Sequence, residues 1–277
     1  MVLDVLERAP DKTLEASLLF LEPTNQKPRF TYSSGAAQPE MNSVYTPRKV
    51  TIRDARTIHA SLDVEGFALV HHRSAVRDFW NEDETATTGR REAARLLRRA
   101  TGAAHVHVFD HTLRRRAPDA VRQPSVRVHN DYTPRSAPQR VRDLMGPEAD
   151  ELLQHRVAFI NVWRPIRHAA LDWPLAIADA RSVAPEDLVA TDVHYPDRSG
   201  EIYGLTYSPR HLWYYVPDMQ LDEALLIKGY DCQTGVASFT PHTAFESPLT
   251  PPGAQPRESV EFRAIAFFEP IRTGWVR

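Results

Sequence analysis

From residue 106 to residue 268 the chain is cut into short β-rich runs by turn residues, and this spacing limits the fold more than any other feature. Val106-His107-Val108-Phe109 and Val126-Arg127-Val128-His129 alternate with the period of a strand, whose side chains point to opposite faces in turn. Residues 157–163 form a longer run, and 175–178, 188–193, 203–207, 213–216, 224–230, 237–239 and 260–268 follow. Asp197, Gly200, Pro209, Pro217, Asp218 and the loop 248–256 separate them. Many short strands with such breaks predict a sandwich or barrel. Upstream, 66–71 reads as one more strand. Residues 88–100 read as a helix, with Ala93, Leu96, Leu97 and Ala100 on one face and Gly102 as its stop. A second short helix is expected near 148–155.

The expectation is a mainly β domain with flanking helices over residues 1–277. Residues 1–60, polar and broken by Pro23, Pro28, Pro39 and Pro47, read as an extended arm packed on the barrel. Basic and acidic residues nearly balance, 34 against 36, which gives no general attraction to nucleic acid or to acidic membranes. The basic run at Arg114, Arg115 and Arg116 and the arginines of 90–99 read as solvated surface. The single cysteine, Cys232, allows no intrachain disulfide and points to a reducing compartment. With neither a signal-peptide pattern nor an apolar run near the ~20 residues that span a bilayer, the expected location is the cytoplasm. Phosphate-binding glycine loops, a G-x-S-x-G elbow and an H-E-x-x-H helix are absent from the sequence.

His129-Asn130-Asp131 is the chemically informative triplet. On a strand, residues i and i+2 share a face, so His129 and Asp131 project together while Asn130 points away. Two imidazoles and one carboxylate on one face of an octahedron make a facial iron site with open positions for cosubstrate and oxygen. The third ligand must come from a distant strand, and His242 in Pro241-His242-Thr243 suits that role. His105, His107, Asp110 and His111 form a rival cluster in which alternation puts the three histidines on one face; it reads as a strand packed beside the site. Trp163, Trp213, Tyr214 and Phe245 read mainly as core. Tyr132 and Thr133, directly after Asp131, are candidates to touch substrate.

The wider context of these residues resembles one family. His129-Asn130-Asp131-Tyr132-Thr133-Pro134, Asn161-Val162-Trp163-Arg164-Pro165-Ile166 and Asp172-Trp173-Pro174-Leu175-Ala176 carry the resemblance. So do Trp213-Tyr214-Tyr215-Val216-Pro217-Asp218-Met219, Asp222-Glu223-Ala224-Leu225-Leu226, Phe239-Thr240-Pro241-His242-Thr243-Ala244-Phe245 and Arg257-Glu258-Ser259-Val260-Glu261-Phe262-Arg263. In order and spacing they are similar to the fungal and bacterial 2-oxoglutarate-dependent oxygenases that resemble gibberellin desaturase and the cephalosporin 7α-methoxylase component. The resemblance implies a double-stranded β-helix (a cupin-like jelly roll), Fe(II), 2-oxoglutarate as cosubstrate, and O2. It implies His129, Asp131 and His242 as iron ligands. Asp131 is present where halogenating relatives carry a small residue, which speaks against halogenation. Cosubstrate needs a cation for its far carboxylate, and a guanidinium matches that group in a bidentate fork. Arg257 with Ser259 fits the family's R-x-S pair, Arg263 has the same strand parity, and Arg164 ends the 161–163 run.

The resemblance implies attack on a C–H bond of a small natural-product intermediate, with hydroxylation, desaturation or oxidative cyclisation as outcomes. Three alternatives stand beside it: a cupin-like metal enzyme that does not use 2-oxoglutarate, a metal-free binding protein for a small apolar ligand, and one subunit of a two-protein oxygenase or methoxylase. The expected partners are a small-molecule substrate and either a second copy or a second protein, with neither nucleic acid nor membrane.

Overall fold

The computed structural model describes residues 13–33 and 39–268. Its first strand shows why the chain builds sheets. In β1 (Thr13–Leu21), Leu14, Ala16, Leu18 and Phe20 are buried while Thr13, Glu15 and Ser17 are exposed, the period of two of a strand with one covered face. Fourteen more strands follow among the described residues: β2 (Arg29–Thr31), β3 (Glu40–Met41), β4 (Tyr45–Asp54), β5 (Phe67–His71), β6 (His105–Arg115), β7 (His129–Asn130), β8 (Val157–Pro165), β9 (Leu175–Ala178), β10 (Leu188–His194), β11 (Ser199–Leu205), β12 (Trp213–Tyr215), β13 (Glu223–Asp231), β14 (His242–Ala244) and β15 (Glu258–Phe267). The helices are a short α1 (Glu82–Glu84), α2 (Arg90–Thr101), α3 (Ser136–Met145) and α4 (Ala149–Leu152).

The strands form two sheets. One has ten strands in the order β1-β4-β12-β9-β14-β7-β11-β10-β2-β3, and the other has five in the order β5-β13-β8-β15-β6. Phe67, Trp163, Leu225 and Ile227 of the smaller sheet meet Leu175, Ile177 and Tyr214 of the larger in a core between them. Helix α2 covers the outer face of the five-stranded sheet, with Ala93, Leu96 and Leu97 on Ile160, Val162 and Phe262. Helices α3 and α4 close one end over Val157, Phe159, Ile265 and Phe267. Strand β8 is therefore buried at every position, which explains its unbroken apolar reading. The result is the expected jelly roll with helices on one side.

The ten-stranded sheet curls. Isolated bridges from Leu19 to Arg127 and from Leu21 to Thr206 bring β1 round toward the residues beside β7 and β11, enclosing Phe20, Trp213 and Phe245. The described part of the expected arm is thus built into the sheet: β1 and β4 pair along nine residues, and β2 pairs with β10. Residues 1–12 lie outside the described residues.

Two local readings change and one helix is added. The strand expected at 237–239 is irregular, because Ala237 N–H donates to Asp63 O and Thr240 N–H to the Asn130 side chain rather than to a ladder. Helix α3 is an element that the sequence reading did not include. Pro138 falls in its first turn, where an N–H has no intrahelical partner. Thr133 and Ser136 cap it reciprocally, each backbone N–H donating to the other's hydroxyl. The register of β15 against β6 shifts between Arg263 and Ala264. That bulge at Phe109 turns His111 toward α2, where it meets Arg90 and Phe262, so His111 does not share a face with His105 and His107.

Gly66 joins this frame to the site. Its φ is +85°, and an added Cβ would lie 2.2 Å from Thr240 Oγ1, the hydroxyl that donates to Gly66 O. Replacing Gly66 with Ala is expected to cost more than about 2 kcal/mol, since the left-handed backbone alone costs about 1–2. A shift of the urea midpoint checks this.

Candidate active site

His129 in β7 and His242 in β14 are direct partners in the antiparallel ladder. Their rings lie 4.8 Å apart, centroid to centroid. Asp131, one residue past β7, turns back so that its Oδ1 is 3.6 Å from His129 Nε2. The three donor atoms all fall within 4.8 Å of one another, close enough to hold one ion. His129 Nδ1 donates to Arg127 O at 2.8 Å and His242 Nδ1 to Thr240 O at 3.0 Å. A carbonyl only accepts, so each ring carries its proton on Nδ1 and leaves Nε2 free to bind metal. Burial and the nearby His242 push the His129 pKa down to about 4, against a smaller pull from Asp131. The ring is neutral at neutral pH, the form that coordinates.

The carboxylate is prepared as well. Burial alone would raise the Asp131 pKa, yet Arg263, His242, His129 and a hydrogen bond from Asn161 hold it well below the usual carboxylate range. Asn161 Nδ2 donates to Asp131 Oδ2 at 2.6 Å. It is the one polar side chain on the inward face of β8, between Phe159, which packs under α3, and Trp163, which packs between the sheets. Sequence reasoning passed over Asn161; an amide at an inward position of an otherwise apolar strand was the available signal.

Asn130 is the second residue passed over. It points away from its two neighbours, as alternation requires, and is fully buried. Its Nδ2 donates to Tyr132 O and Gly229 O at 2.8 Å, and its Oδ1 accepts from Thr240 N–H at 2.9 Å. One amide therefore ties the His129/Asp131 segment, the bulge in β13, and the turn whose Thr240 carbonyl orients His242.

The four candidates for the cosubstrate carboxylate separate by environment. Arg164 faces α2: its guanidinium meets His72 Nδ1 at 3.0 Å and the Leu221 carbonyl, and lies over Phe79. It is on the opposite face of β8 from Asn161 and Trp163, so the site does not include it. Arg263 faces inward but is already neutralised. It pairs with Glu261 and with Asp110 at 3.1 Å, donates to Thr112, and stands 3.9 Å from Asp131. Burial works against its charge, and Glu261, Asp131 and Asp110 raise its pKa regardless.

Arg257 lacks such an anion. It is 1% exposed, Nη1 donates to Trp173 O at 2.6 Å, and the guanidinium lies 5.5 Å from the Trp163 ring centroid. Its Nε is buried with no partner. Asp172 accepts from the Arg257 backbone N–H but is paired by side chain to Arg116. Burial and then Arg114 push the Arg257 pKa down to about 9. A desolvated guanidinium with an orphan N–H fits an arriving carboxylate. Ser259, also 1% exposed, follows on the same inward face. Trp213, Trp163, Tyr214 and Phe245 are core residues, and Thr133 is buried on Glu201.

A jelly roll that brings two imidazoles and a carboxylate together, and buries on an inward face an arginine without a carboxylate partner, defines a non-haem iron oxygenase of the 2-oxoglutarate class. The comparisons agree. The oxidoreductase/YMDC permease-like domain model matches residues 18–267. The Fe(II)/2-oxoglutarate-dependent dioxygenase nvfI of Aspergillus novofumigatus is 33% identical over 91% of this chain and 96% of its own length. The hydroxylase/desaturase CTB9 of Cercospora beticola is 34% identical over 83% of this chain and 79% of its own. The solved structure of the iron and alpha-ketoglutarate-dependent endoperoxidase NvfI superposes with a TM-score of 0.84 at 31% identity, over 92% of this chain and 98% of that one. This chain belongs to the Fe(II)/2-oxoglutarate-dependent dioxygenases. It is an oxidoreductase using Fe(II), 2-oxoglutarate and O2. Among the described residues, none of the helices is long and apolar enough to cross a membrane.

Asn130→Ala is expected to weaken Fe(II) binding about 10–100-fold, the usual cost of losing a residue that orients metal ligands. Calorimetric titration with Fe(II) alongside thermal unfolding checks this: affinity should fall in protein that still melts as a folded species.

Proposed function

We propose that this enzyme oxidises a C–H bond of a small natural-product intermediate held in the cavity in front of Asp131. The observation that carries the reading is the cavity itself: about 1190 Å³, with Asp131, Tyr132 and Arg263 among its walls, somewhat above the roughly 300–1,000 Å³ of pockets that hold drug-sized molecules. Bound iron and 2-oxoglutarate, together with O2, would supply the oxidising chemistry. The chain's own residues do the rest. His129, Asp131 and His242 would hold the metal. Arg257 and Ser259 receive the far carboxylate of the cosubstrate, while Arg263 keeps Asp131 ionised. Tyr132, whose hydroxyl is pushed up by burial and by Asp131 and stays protonated, borders the substrate's side.

The relatives carry names as different as hydroxylase/desaturase and endoperoxidase. This supports an outcome set by where the substrate sits rather than by the ligand set. The lone Cys232 supports a reducing, cytoplasmic setting. The near balance of basic and acidic residues supports a small molecule, rather than nucleic acid or an acidic membrane, as the partner.

Anaerobic addition of 2-oxoglutarate to the Fe(II)-loaded protein should give a weak visible charge-transfer band. His129→Ala, Asp131→Ala or His242→Ala should remove the band and Fe(II) binding together; Fe(II) retained in all three variants overturns the ligand set. Arg257→Gln should keep Fe(II) and weaken 2-oxoglutarate about 10–100-fold, the worth of charge-assisted hydrogen bonds. Unchanged 2-oxoglutarate affinity would exclude Arg257.

A further inference from the structure

The cavity holds more positive charge than iron and cosubstrate account for. Arg114, Arg122 and Arg127 line one wall, near Tyr32, and all three bear electrostatically on its hydroxyl. Arg114 Nη1 donates to Gln123 O at 2.8 Å. Arg122 reaches Thr112 Oγ1 at 3.4 Å. Arg127 lies over the rings of Phe30 and Tyr45. Among the described residues, none of the three pairs with a carboxylate.

The carboxylates of the cavity are engaged elsewhere. Asp110 is paired with Arg263, Asp119 with Arg115, and Asp192 and Glu201 with Lys27. Asp143 accepts from Gln139. Glu261 acts on Arg114 more strongly than any other acid but is ion-paired to Arg263. Register places Arg114 beside Ser259 on the inward face of the smaller sheet. Arg257, two residues before Ser259, is the group assigned above to the cosubstrate, so Arg114 is left as a second desolvated cation facing the cavity.

An unpaired, partly buried guanidinium is costly unless an anion meets it. Arg114 and Arg127 are such groups, and with the exposed Arg122 on the same cavity wall they make a site for an oxyanion, which they can grip through several charge-assisted hydrogen bonds. Phe109 and Tyr132 supply apolar surface on the side toward Asp131. We propose that the substrate is an organic acid, its carbon skeleton lying over Tyr132 toward the metal and its carboxylate held by Arg114, Arg122 and Arg127. This rests on the reading of the cavity as the substrate site of the oxygenase. An anion fixed at one end would set which C–H bond faces the metal, and so the regiochemistry.

The test uses the full chain under anaerobic conditions with Fe(II) and 2-oxoglutarate. It is titrated calorimetrically with 1-naphthoate and with 1-naphthamide, which share a ring system and differ in charge. Naphthoate should bind at least about tenfold tighter than the amide, the worth of one charge-assisted contact. Arg114→Gln and the exposed Arg122→Gln should each reduce that preference and leave 2-oxoglutarate affinity within about twofold. Equal affinities, no naphthoate binding, or a preference that survives both substitutions overturns the proposal. So does a loss of 2-oxoglutarate in Arg114→Gln, which would move Arg114 to the cosubstrate. Failure of the wild-type protein to bind 2-oxoglutarate with Fe(II) strikes at the oxygenase reading instead, because naphthoate binding to the metal-free protein still reports on the arginines.

Discussion

The cross-strand pairing of His129 with His242 is the contact on which the rest of the structure depends. Strand side chains alternate, so a slip of one residue between β7 and β14 would swing one imidazole to the far face. Both strands are very short and cannot hold their register by ladder hydrogen bonds alone. The register is held from behind by Asn130, whose amide joins both ligand segments to the β13 bulge. It is held again by Thr240, tied through its hydroxyl to Gly66. The residue between two ligands thus matters as much as they do, because it fixes where they point.

Just before and along the first half of β15 the inward positions are Arg257, Ser259, Glu261 and Arg263, with the outward Val260, Phe262 and Ala264 packed under α2. Such a polar row would be a defect in a barrel built only to be stable. Here each charge has a counterpart or marks where one arrives. Arg263 balances Glu261 and Asp110 and leans toward Asp131. Arg257 has an orphan N–H. Register puts Arg263 beside Asn161 and Glu261 beside Trp163, so this row leads away from Asp131 toward Arg257.

Much of this was legible in sequence because strand period and ligand spacing are local. His129 and Asp131 need only an extended backbone to share a face. The strands at 157–163, 175–178 and 224–230 need only apolar β-formers between turns. What was illegible is non-local or turns on a single bulge. Alternation put His111 with His105 and His107, and one extra residue at Phe109 undid that. The same parity argument was needed to exclude Arg164, whose side of β8 depends on where α2 docks. The curl that builds β1 into the sheet comes from two bridges joining residues more than a hundred positions apart. The cap of α3 lies in Thr133 and Ser136, a Thr-x-x-Ser pair without the Glu or Gln that marks a capping box in sequence.

The arginines show the same limit from the other side. In sequence, Arg114 belongs to a basic run that reads as surface, and for Arg115 and Arg116 that reading has force, since each pairs with an aspartate. Strand parity separates Arg114 from them. It turns inward at a point where the carboxylates are already engaged, and burial pushes its pKa down. A charge that looks like solvated surface in one dimension becomes an unanswered cation in three. The physical distinction is that a solvated arginine owes nothing to its neighbours, whereas a desolvated one requires an anion, and that requirement can be read back as the chemistry of what the cavity binds.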